Sequence, residues 1–183
     1  MSYRRWIFVA IFLFGIGLVF GLSTPTSFTD LTPQDIAALE ELVDFLVSLP
    51  PVLAAIFIFI KNVSALVLSF VLSPFFCLIP ILALTINGWL LGFISVIVSR
   101  EESVGFVLAG LLPHGVFELP ALILGEAAAL SFGTVVVLAL FKKERRSLLL
   151  PSLKQNLRYL VVALALLLPA AIIETYVTPL LLT

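Results

Sequence analysis

Residues 51–99 read PVLAAIFIFIKNVSALVLSFVLSPFFCLIPILALTINGWLLGFISVIVS, a run in which Lys61 is the one formally charged side chain. A helix needs about 20 apolar residues to cross a hydrocarbon core of about 30 Å. The run is long enough for two crossings, and Ser73-Pro74 is the break between them. Two spans are expected, about Pro51 to Leu72 and about Pro74 to Ser99, and so short a link makes them antiparallel.

Outward from this stretch the composition stays the same. Of 183 residues, 62% are hydrophobic and 11% charged, which no water-facing globular domain could sustain. The expected fold is all-α, a polytopic transmembrane bundle of about five spans forming a single domain over residues 1–183. A net charge of -1 offers no basic excess for nucleic acid. Cys77 is the only cysteine, so no internal disulfide can form, and its expected role is packing.

On the N-terminal side, Trp6 to Leu22 follows Arg4 and Arg5. Such a run can be a secretory signal cleaved near Gly21-Leu22-Ser23, but its length and the membrane protein that follows favour a retained first span. Ser23 to Pro50 is acidic, with Asp30, Asp35, Glu40, Glu41 and Asp44 and no Lys or Arg. Thr32 and Pro33 signal a helix start there, and Ile36, Leu39, Leu42, Val43, Phe45 and Leu46 form a stripe. An amphipathic outer helix is expected, covering the spans or docking a partner.

On the C-terminal side, polar breaks fall at Arg100 to Ser103 and at Lys142 to Arg146. The intervening stretch is about twice what one span needs. Gly110, Pro113, Gly115 and Pro120 interrupt it. A re-entrant or tilted helix over about Val104 to Leu112 is therefore expected before a fourth span over about Pro120 to Phe141. A last span covers about Tyr159 to Leu180. With five spans, Arg4, Arg5, Lys142, Lys143, Arg145, Arg146, Lys154 and Arg158 share one side and Arg100 the other. That bias predicts a cytoplasmic N-terminus, a cytoplasmic basic loop over residues 142–158, and a C-terminus outside.

Function must lie with the polar residues carried into the bilayer: Lys61, Asn62, Asn87, His114, Glu118, Glu126 and Glu174. Helical rise from the nearest polar marker brings Asn87, Glu126 and Glu174 to one depth of about 20–24 Å, with Lys61 arriving from the outer side. A shared, lipid-shielded site is expected, with Lys61 neutralised by Glu126 or Glu174. His114 precedes Glu118 by four residues, on one helical face, and Pro120 frees the carbonyl of Val116 beside them. This suits a proton or cation site, and equally a hydrogen-bond cluster that holds a broken helix together; metal binding stays open. No H-E-x-x-H, Gly-x-Ser-x-Gly or phosphate loop occurs, so neither an enzyme nor a cofactor is expected. Gly125, Ala129 and Gly133 form a small-residue seam for close packing, within the protomer or between copies, and Gly88 and Gly92 offer a matching smooth surface.

Taken in order, KNVSALVLSF (61–70), TINGWLLGFI (85–94), LLPHGVFELPALILGEAAALSFG (111–133) and AAIIETYVTP (170–179) resemble the stage II sporulation protein M family of multi-pass membrane proteins. The resemblance covers about Pro51 to Pro179 and is most specific at His114-Gly115 and Glu118-Leu119-Pro120. Asn62, the Asn87-Gly88 pair and Glu174 also match, whereas Glu126 stands where small residues are usual. The resemblance implies a scaffold in the cell membrane, as the family's namesake holds cell-wall hydrolases in a complex during forespore engulfment. Expected partners are thus membrane lipid and other envelope proteins, and a second copy of the chain stays open. The alternative is a small proton- or ion-linked transporter or channel using the intramembrane His, Glu and Lys.

Overall fold

In the computed structural model, residues 3–25 and 49–182 are described. Among them the chain is helical, with no strand: α1 (Tyr3–Ser23), α2 (Pro51–Leu72), α3 (Leu78–Glu101), α4 (Val104–Phe141), a 3-10 turn (Lys143–Leu148), α5 (Leu149–Tyr176) and a short α6 (Thr178–Leu181). Five of these segments are long and apolar enough to cross a membrane, the 3-10 turn and α5 forming the fifth together. The amphipathic helix expected over Thr32 to Leu46 lies outside the described residues.

The predicted break in the fourth span is absent. Val104–Phe141 is one continuous helix with Pro113 and Pro120 inside it, and Gly115 is buried rather than placed in a turn. The reason lies in the solvent. A proline inside a helix costs about 3 kcal/mol, but opening a turn in hydrocarbon strands several backbone groups at several kcal/mol each. The helix therefore absorbs both prolines. It starts where the Ser103 hydroxyl accepts a bond from the Phe106 N–H at 3.1 Å.

Two further boundaries differ from expectation. The third span begins at Leu78 rather than Pro74, because Phe76 and Cys77 turn the chain with positive φ of 51° and 58°. That left-handed conformation costs roughly 1–2 kcal/mol for each such residue. The Cys77 thiol, facing the Leu130 carbonyl and the Thr134 hydroxyl at 3.6 Å each, helps to hold it. The last span begins at Leu149, ten residues ahead of Tyr159, and ends at Tyr176.

Glycines decide which spans meet closely. A methyl group on Gly17 would collide with the Thr85 carbonyl, and one on Gly21 with the Trp89 carbonyl. In return, Gly88 faces the Phe14 carbonyl and Gly92 the Leu18 carbonyl. The pairs rise together along both helices, so α1 and α3 run parallel with backbones in direct contact. The indole N–H of Trp89 donates to the Thr24 hydroxyl at 3.0 Å just beyond the end of α1. The surface matching Gly88 and Gly92 is thus Gly17 and Gly21 of α1, not the Gly125 seam. That seam faces α2 of the same chain: Gly125 lies against Leu66, Gly133 against the Ser73 backbone, and Ala129 is fully buried.

α2 and α4 are parallel, since Asn62 reaches Glu118 and Ser69 reaches Glu126. α4 and α5 are antiparallel, His114 lying beside Glu174 while Ser131 and Asn156 line one cleft. At about 57 Å, α4 is far longer than a 30 Å core requires. Ser73, just past the end of α2, lies at Gly133, so about 12 Å of α4 continues past it into the basic turn.

Candidate functional site

α4 brings His114 and Glu118 to one face, as their spacing predicts, with His114 Nε2 3.8 Å from Glu118 Oε2. The amide of Asn62, on α2, donates to the other Glu118 oxygen at 3.1 Å. Glu174, near the end of α5, completes the group: one ligand atom from each of His114, Glu118 and Glu174 falls within 4.8 Å of the others. Glu174 also lies within electrostatic reach of Lys61. Lys61 itself is on the exposed face of α2, and among the described residues it forms no ion pair with these carboxylates. The His114 and Glu118 side chains are 15% and 33% exposed, so the cluster is sheltered yet reachable.

Carboxyl groups held this close in hydrocarbon surroundings are stable only when a shared proton, a partner charge or a bound cation offsets their repulsion. Three atoms of His and Glu type at this spacing can chelate a small cation or share a proton, with the Asn62 amide fixing the orientation of Glu118. Two clefts flank His114: one of about 180 Å³ lined by Asn87, His114 and Glu118, and one of about 430 Å³ lined by His114 and Glu174.

Two expected members stand apart. Asn87 lines the smaller cleft, but its amide donates to the Ala83 carbonyl of its own helix at 2.7 Å. Glu126 is elsewhere, two turns along α4 and 1% exposed, receiving the Ser69 hydroxyl at 2.5 Å. The depth count misplaced it because Lys142 does not sit at the bundle's edge. Tyr3 stacks on Tyr159 while its hydroxyl donates to the Leu124 carbonyl at 2.8 Å, so the part of α4 level with the start of α5's apolar run lies well before Lys142. Glu126 and Glu174, each counted about 24 Å from its own basic marker, were therefore measured from different levels.

Two residues escaped the sequence reading. Thr178, 7% exposed at the α5–α6 turn, brings its hydroxyl to 3.4 Å from His114 Nδ1 and donates to the Ile173 carbonyl at 3.3 Å. Its signal was the Thr-Pro pair that opens α6 four residues after Glu174. Ser69 carried no comparable signal, being one of several serines in an apolar helix.

The stage II sporulation protein M family model matches residues 8–179. An uncharacterized protein of Methanocaldococcus jannaschii is 26% identical over 174 residues, covering 94% of this chain and 93% of its own length. A second uncharacterized protein of that archaeon is 27% identical over 120 residues, covering 64% of this chain and 52% of its own. No solved structure matches. With five apolar helices and a family match along nearly its whole length, the chain is a multi-pass membrane protein belonging to the stage II sporulation protein M family.

Proposed function

We propose that this protein is a non-enzymatic membrane scaffold, in which buried polar groups fasten the helices and the projecting basic hairpin docks partners in the cell envelope. The observation that carries this reading is the role of α4 as a common post. Tyr3 of α1, Asn62 and Ser69 of α2 and Thr178 of α6 all meet polar groups on α4. Interhelical hydrogen bonds in membranes average about 0.6 kcal/mol and reach about 1.7, so four on one helix give a stiff bundle. Beyond this bundle residues 141–148 are exposed throughout and include Lys142, Lys143, Arg145 and Arg146. A rigid body with a charged, unsheltered tip has the design of an assembly platform.

The test is co-purification from native membranes after gentle cross-linking, comparing wild type with the charge-reversed pair Lys142→Glu and Lys143→Glu. Proteins recovered with the wild type and lost with the reversed pair support the reading. Recovery of the chain alone, or an unchanged set of companions, overturns it.

A second reading, a proton- or ion-linked transporter, is favoured by the convergence of His114, Glu118 and Glu174 within 4.8 Å. Reconstituted vesicles distinguish it. Proton or cation flux present in wild type and lost in folded His114→Ala and Glu118→Gln supports transport, and its absence from the wild type rejects it.

A further inference from the structure

A second polar site lies toward the basic end of the bundle, away from the His114 cluster. A cleft of about 220 Å³ opens where the first turn of α1, the last third of α4, the 3-10 turn and the start of α5 meet. Asn156 lines it and is 2% exposed. Its amide N–H₂ donates to the Ser152 carbonyl at 2.9 Å and to the Ser152 hydroxyl at 3.1 Å. This fixes the amide's orientation, because the reversed rotamer would set its carbonyl against that of Ser152. Asn156 Oδ1 is then a buried acceptor with no donor among the described residues. Buried acceptors are rarely left so, since the lost hydration is not replaced.

The other walls say what is missing. Arg145 borders the same cleft, and among the described residues no carboxylate pairs with its guanidinium. Ser131, Thr134 and Gln155 add neutral polar groups. Tyr3, stacked on Tyr159 and bonded to the Leu124 carbonyl, is a fixed wall, and Trp6 stands beside it. The site thus offers one cation and several neutral polar groups, and in the side chain of Asn156, which lines it, a buried acceptor that lacks a donor. An aromatic pair next to Arg4 and Arg5 marks the membrane–water boundary, where basic pockets between helices hold anionic headgroups. A single water could satisfy Asn156, but a cleft of about 220 Å³ has room for several waters or a larger polar group.

We infer that this cleft binds a phosphate group bearing a neighbouring hydroxyl or amine, with the phosphate on the Arg145 guanidinium and the neighbouring donor on Asn156 Oδ1. An anionic phospholipid headgroup and a free phosphomonoester present this same chemistry. Recognition of this kind places a bound ligand between α1 and the α4–α5 hairpin, so that its occupancy ties the hairpin to the bundle.

The experiment uses the full chain purified in neutral detergent, followed by native mass spectrometry and thermal unfolding. Three probes are added separately: phosphatidylglycerol, phosphatidylcholine and glycerol 3-phosphate. Phosphatidylglycerol is expected to bind at least about tenfold more tightly than phosphatidylcholine, which lacks a headgroup donor. Arg145→Ala and Asn156→Leu each remove that preference. A response to phosphatidylglycerol alone assigns a lipid, and an equal response to glycerol 3-phosphate assigns a free phosphomonoester. No selective binding of either, or selectivity that survives both substitutions, overturns the inference. Asn156→Leu also has a readout without ligand: with its orphaned acceptor gone, it melts no lower than wild type in lipid-free detergent. If it fails to fold, Arg145→Ala still decides the question, since that side chain is exposed.

Discussion

Two carboxylates eight residues apart on α4 illustrate how neighbours rather than residue type set a role. Glu118 sits among Asn62, His114 and Glu174, partly exposed and in a cluster of ionisable groups. Glu126 is sealed and has the Ser69 hydroxyl as its hydrogen-bond partner. Ser69→Ala should therefore destabilise the fold by about 1–3 kcal/mol, the cost of stranding a buried polar group. Glu126→Gln should recover most of the wild-type stability, because an amide oxygen still accepts from Ser69. Unfolding in mixed micelles measures both, and a Ser69→Ala protein as stable as wild type would remove Glu126 from the structural account. The same assay separates the two asparagines. Asn62→Leu should cost about 1 kcal/mol by breaking an interhelical bond, whereas Asn87→Leu should be close to neutral, its amide serving its own helix.

At the scale of the helix, shape outweighs propensity. Gly17, Gly21, Gly88 and Gly92 let two backbones touch, while Gly15, two residues from Gly17, has nothing within 4 Å of where its methyl would be. Gly88→Leu and Gly21→Leu should each lose about 3 kcal/mol or more by forcing α1 off α3. Gly15→Leu should stay within about 0.5 kcal/mol of wild type. Equal effects at Gly15 and Gly88 would mean that α1 does not pack on α3 as described. The continuity of α4 through Pro113 and Pro120 belongs to this scale as well. A proline that ends a helix in water is held inside one in lipid, because the medium offers the opened backbone no alternative partner.

For the whole molecule, the alternation of five spans sets Arg4, Arg5 and the basic hairpin on one side and the Glu101–Ser103 link on the other. The excess of Lys and Arg predicts that the hairpin faces the cytoplasm. With Cys77→Ala as background, Ser103→Cys should react with a membrane-impermeant maleimide added to intact cells, and Ser147→Cys should react only after the membrane is opened. The reverse pattern would invert the topology and move the projecting hairpin outside. Length supports the functional reading at this scale, since α4 passes the end of α2 by about two turns and so carries the charged turn clear of the bundle.

Much was legible before any coordinates. Composition, the lengths of the apolar runs and the polar breaks yielded a five-span helical membrane protein, since hydrocarbon admits few other solutions, and four ordered segments, above all His114-Gly115 and Glu118-Leu119-Pro120, carried the family resemblance. Helical spacing put His114 and Glu118 together, a local geometry that any helix preserves. Tertiary structure alone decided that Glu174 and Asn62 join them while Glu126 does not, that Gly88 answers Gly17 and Gly21, and that Asn156 lines a cleft with Arg145. The physical reason is register. Period and hydropathy say that a helix crosses the membrane, but how far it slides along its neighbours depends on where small side chains allow backbones to meet, a property shared between two helices and written in neither by itself.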